Sequence, residues 1–197
     1  MKEIITILSL LVALGVDAQQ KKPIDPAVLK AKQDFERKKA EADKGDPVKL
    51  HELGDLYYSG RGTARNYAEA YKAYLAAAGK GYVISEATVG WMLRNGQGAS
   101  KDYKKAMEWY AKAAEKGHVE AQMGLGEIYY SSLGLPKRDY ATAYRWYAIA
   151  AGLGSKEAKA FTLRMQQTVL KDPRVTAEQK ATVEKAVSDW LAAHAKK

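Results

Sequence analysis

His51, Asp55 and Ser59 stand four residues apart, and they are the residue types of a proton relay. A serine nucleophile needs a histidine base, and the histidine needs a carboxylate to orient it. Spacing of four puts all three on one helix face, with successive side chains about 6 Å apart along a line. A relay needs its members to converge on one point, so this row reads as surface decoration. The three histidines, His51, His118 and His194, lack ligand spacing and predict no zinc site. There is no cysteine, which removes disulfides, thiolate metal sites and a cysteine nucleophile. "GRGTAR" and "GQGASK" hold paired glycines but follow helices rather than strands. They lack the third glycine, or the lysine with Ser/Thr after it, that a phosphate loop needs. No cofactor and no catalytic residue is expected.

The elements that position these residues come from a repeat. "LGDLYYSGRG" begins at Leu53, "VGWMLRNGQG" at Val89 and "LGEIYYSSLG" at Leu125. "NYAEAYKAYLAAAGKG" from Asn66, "DYKKAMEWYAKAAEKG" from Asp102 and "DYATAYRWYAIAAGLG" from Asp139 follow them in turn. Each unit reads as two helices, and no strand is needed. Asn66, Asp102 and Asp139 are N-caps of the second helix, with Glu69 completing a capping box on Asn66. Gly81, Gly117 and Gly154 close it in the left-handed conformation. Gly54, Gly90 and Gly126 recur inside the first helix, where glycine costs about 1 kcal/mol against alanine. That recurrence predicts close approach of a neighbouring helix, as do the alanine pairs at 77/78, 113/114 and 150/151.

The expected organisation is a leader over residues 1–18, a capping helix over 19–44, repeats over 45–81, 82–117 and 118–154, and capping helices over 155–197. Asp25 and Pro26 open the first cap. "DPRV" separates two C-terminal helices, and Thr176 with Gln179 forms a capping box on the second. The apolar run at residues 4–16, after Lys2 and before Ala18, has the form of a cleaved secretion signal. The alternative is an uncleaved anchor or a buried first helix. The run is too short to be a comfortable permanent span. Cleavage would leave the chain periplasmic or secreted, and the missing cysteine excludes a lipoprotein.

The 197 residues are 47% hydrophobic and carry a formal charge of +9. That composition excludes a disordered chain or a multi-span membrane protein. The basic excess gathers at the two ends as solvated faces. Export, and the absence of an Arg-rich helix or stacking platform, argue against nucleic acid.

The third unit carries a motif through Ala121, Leu125, Gly126, Tyr129, Asp139, Ala143, Trp146, Tyr147, Ala150, Ala151 and Gly154. In these residues the chain resembles the Sel-one-like repeat, a relative of the tetratricopeptide repeat. Lys49, Ala73, Ser85, Leu93 and Ser132 depart from the pattern. The resemblance implies an all-α, right-handed α-solenoid of stacked antiparallel helix pairs, with first helices lining a concave groove. Some cysteine-rich relatives are associated with β-lactam binding or hydrolysis. Without cysteine or an S-x-x-K motif, that is not carried over.

The groove-facing columns, read at helical spacing, are 51/87/123, 52/88/124, 55/91/127 and 58/94/130. They make Asp55, Tyr58, Trp91, Arg94, Glu127 and Tyr130 the candidate partner-binding residues, with aromatics and arginine as hot-spot types. Trp91 shares a column with Asp55 and Glu127, so it is expected on the surface rather than in the core. Tyr58 and Tyr130 have packing on neighbouring helices as an equal alternative. The implied function is non-catalytic binding of a protein partner, as an adaptor in the bacterial envelope. The alternatives are a periplasmic immunity protein that masks a secreted toxin, or a cell-wall-polymer binder or hydrolase.

Overall fold

The computed structural model describes residues 25–168 and 176–194. The leader expected over 1–18 and the "DPRV" break fall outside them. The described residues form α1 (Pro26–Ala42), α2 (Pro47–Ser59), α3 (Tyr67–Gly79), α4 (Val83–Asn95), α5 (Tyr103–Glu115), α6 (Val119–Ser131), α7 (Tyr140–Gly152), α8 (Lys156–Thr168) and α9 (Ala177–His194). Among them there is no strand. The pairs α2/α3, α4/α5 and α6/α7 stack in chain order as an α-solenoid, with α1 before and α8 after.

The same local bonds build each pair. The N-cap side chains of Asn66, Asp102 and Asp139 accept from the free N–H groups of their helices. Their own backbone N–H groups reach back to the first helix, at Tyr57 O (2.8 Å), Leu93 O (3.0 Å) and Tyr129 O (3.1 Å). This leaves the Asn66 box half made, because Glu69 turns to Lys72 instead (2.7 Å). The second helices end in paired Schellman bonds: Gly81 N donates to Ala78 O and Tyr82 N to Ala77 O. The residues after α5 and α7 repeat the arrangement. Thr176 and Gln179 make the full reciprocal box at the start of α9.

The recurring glycines answer to a side chain. A Cβ at Gly54 would lie 2.5 Å from the Tyr74 ring; at Gly90 it would lie 2.8 Å from Tyr110, and at Gly126 2.9 Å from Tyr147. The close approach is therefore a tyrosine laid flat across each first helix. The paired alanines sit almost entirely in the core, where Ala77, Ala113 and Ala150 have no exposed surface.

The C-terminal end departs from simple stacking. α9 packs on α7, with Leu191 against Gly152 and with Val187 and Trp190 against the cluster around Trp146 and Ile149. The His194 ring bridges Trp190 O (2.8 Å) and Glu115 O (3.1 Å), which ties the end of α9 to the end of α5. α9 thus covers the layer of second helices, and α8 is the last of the first-type helices.

Candidate functional site

The first helices α4, α6 and α8 enclose a cleft of about 450 Å³. Trp91 and Arg94 come from α4. Glu120, Met123, Gly124, Glu127, Tyr130 and Ser131 come from α6, and Glu157 and Phe161 from α8. Tyr110 and Tyr147, from the second helices, form the floor. Gly124 has no side chain to fill this space, and a Cβ there would lie 2.8 Å from Tyr110. A smaller cleft of about 260 Å³ adjoins, and Trp91, Tyr110 and Glu120 line both. Ile84, Ala87 and Thr88 make its apolar wall.

Four of the six candidate residues therefore converge. Trp91 is 40% exposed, which places it on the surface as its column predicted. Arg94 Nη2 lies 2.7 Å from Glu127 Oε1, joining the second and third units. Tyr130 is 37% exposed and meets the Tyr140 ring edge-on at 5.6 Å. Tyr58 lies outside the cleft and is half-buried. Its hydroxyl donates to Gln97 (3.1 Å), and its ring packs on Tyr67 and touches Trp91. Asp55 also lies outside. It accepts from the Tyr74 hydroxyl at 2.7 Å.

Of the two carboxylates in the groove row, Glu127 is matched by the Arg94 cation, whereas Asp55 is hydrogen-bonded by the neutral Tyr74 hydroxyl and keeps its charge. Burial raises the Tyr74 hydroxyl pKa, and Asp55 raises it further. Burial pushes Tyr110 up to about 12, against the pull of Arg94. Burial also raises Tyr147, with Glu127 adding to the shift. The floor phenols are thus neutral donors at physiological pH. Two outward columns turn inward in part: Ala87 and Gly124 are buried.

His51 has a partner that spacing could not reveal. Its Nδ1 lies 2.8 Å from Ser85 Oγ, and its Nε2 lies 3.7 Å from Asp55 Oδ1. These are again the types of a relay, now with Ser85 in place of Ser59. Ser85 is wholly buried, and the Tyr74 and Tyr82 rings flank His51. No substrate atom can reach its hydroxyl. The network joins the first and second units. Ser59 instead donates to Asp55 O, within its own helix.

Sequence reasoning missed the floor and the far wall. Tyr110 and Tyr147 stand on the second helices and are buried, so the outward columns of the first helices could not point to them. Glu157 and Phe161 were recoverable. Continuing the repeat register by 37 residues puts them in the columns of Glu120 and Gly124. Among the described residues no cluster of three His, Asp or Glu could hold a metal ion, and no helix is long and apolar enough to cross a membrane.

A Sel1 repeat family model matches residues 50–82, 85–118 and 119–155. Among solved structures, the chain is similar to a Sel1 repeat protein from Oxalobacter formigenes, with a TM-score of 0.65 and 28% identity over 81% of this chain. It is also similar to a protective antigen with an SLR fold present in uropathogenic Escherichia coli strains, with a TM-score of 0.69 and 28% identity over 80% of this chain. The chain spans 64% of the length of the first and 33% of the second. A comparison with curated protein sequences returns no match.

Proposed function

From the chain's membership of the Sel1 repeat family we propose that it binds one protein partner through the cleft between α4, α6 and α8, without catalysing a reaction. Sel1 repeats generally mediate protein–protein contacts and are typically non-catalytic scaffolds. The observation that carries the reading to this cleft is Trp91. A large aromatic side chain stands 40% exposed at the cleft's rim, supported by Tyr58 and flanked by Arg94. Exposed aromatics beside a partly buried arginine are the residue types that binding hot spots favour. The working place of the protein is the periplasm or the extracellular medium, and its role there is that of an envelope adaptor. The leader-like residues 4–16 support export.

The test is affinity purification from periplasmic extract on the wild-type chain and on Trp91→Ala. The wild type recovers a defined partner. The variant loses 2 kcal/mol or more of that affinity, while its unfolding free energy changes by less than about 1 kcal/mol. Equal recovery by both proteins, or a large stability loss with unchanged binding, would remove Trp91 from the site.

A further inference from the structure

The cleft has a charge opposite to that of the chain. The protein carries +9, yet the cleft is lined by Glu120, Glu127 and Glu157 against a single arginine. Arg94 is already engaged, 2.7 Å from Glu127. Glu120 reaches the His118 ring at 3.3 Å and is otherwise open to solvent. Glu157, on α8, has no ion-pair partner among the described residues. Arg164 sits 5.8 Å from the Phe161 ring but does not line the cleft. Two carboxylates thus face a space walled by Trp91, Tyr130 and Phe161. At physiological salt, charges more than about 8 Å away are largely screened. A ligand inside the cleft therefore meets the glutamates rather than the basic excess at the chain's ends.

We propose that the cleft receives an arginine or lysine side chain, carried on an extended segment of the protein partner. The proposal rests on the groove reading above and adds the chemistry of what enters. Aromatic faces attract a cation through their quadrupole, and the flanking carboxylates accept charge-assisted hydrogen bonds from it. The Tyr147 hydroxyl on the floor is a neutral group and does not repel it. An apolar residue beside the cation would fall against Ile84 and Ala87 in the adjoining cleft.

The probe is a phage-displayed library of random dodecapeptides, selected on the full chain at physiological salt and sequenced. The selected peptides are then titrated against Glu120→Gln/Glu157→Gln and against Trp91→Ala. Both glutamates are exposed, so their replacement leaves the fold intact, as melting curves would show. The expected selection is rich in arginine and lysine. Its affinity falls about tenfold in the double glutamine variant, the size of a lost charge-assisted contact, and is lost in Trp91→Ala. Acidic or uncharged peptides that still need Trp91 would overturn the cationic occupant and leave the groove reading standing. Cationic peptides indifferent to the glutamine changes would overturn it equally. Peptides indifferent to Trp91, or no enrichment at all, would sink the groove reading with it.

Discussion

His51 shows what a single residue owes to its neighbours. Helical spacing put it in the groove row; the fold turns it inward onto Ser85, 34 residues away. The helical period says which side of a helix a residue is on. It says nothing of what the next unit brings to that side. Burial among Tyr74, Tyr82 and Ser85 pushes the His51 pKa below the ordinary value near 6.5, and the charges of Asp55 and Glu52 offset this only in part. The unfolded chain therefore binds a proton that the folded chain refuses. His51's contribution is fully present above about pH 6.5 and is lost as the pH falls toward the depressed folded value. Thermal melts between pH 7.5 and 5 should show a steeper acid-side fall in Tm for the wild type than for His51→Gln. Parallel curves would mean that His51 is free to protonate in place. Trp91, by contrast, was legible from its column alone, because a position filled by Asp and Glu in sister units favours solvent over core.

At the scale of the helix, two positions set substitution against propensity. Gly126 sits inside α6, where alanine is the better helix former by about 1 kcal/mol. A Cβ there would come within 2.9 Å of the Tyr147 ring, which is buried and packed in the core. Overpacking costs about 1–3 kcal/mol, so Gly126→Ala should destabilise on balance; denaturant unfolding of the variant would measure it. A gain in stability would show that the ring yields. The recurrence of this glycine was readable from the repeat, but its cause was not, since the tyrosine lies on the second helix. Ser132 is the reverse case. It caps α6 with φ +60, where the sister units have Gly60 and Gly96 in the same left-handed conformation. The strain of a Cβ there is about 1 kcal/mol, partly offset by the Oγ bond to Leu135 O at 2.9 Å. Ser132→Gly should therefore raise the unfolding free energy by about 0.5 kcal/mol. A loss of that size would show the hydroxyl bond to be the stronger effect.

For the whole molecule, the question is how far a local change travels. Helices touch mainly their neighbours in the chain, as in any solenoid, so stability is close to a sum of units and interfaces. α9 breaks that order. The Thr176 and Gln179 capping box announced a helix there, but a cap does not name the surface that the helix covers. α9 skips α8 and lies on α7, and His194 reaches the end of α5. It therefore couples the third unit to the second across the outer layer. Trp190, half-buried against the Trp146 and Ile149 cluster, is the largest side chain in that contact. Trp190→Ala should cost about 2 kcal/mol, below the 3–5 kcal/mol of a fully buried tryptophan. Hydrogen exchange should locate the loss. Amides of α7 and the end of α5 should lose protection, while those of α2 and α3 keep theirs, because the packing of α9 among the described residues is on α7 and at the end of α5. Uniform loss along the whole chain would instead mean that the array unfolds as one cooperative body. The cleft would then depend on α9 as closely as it does on its own walls.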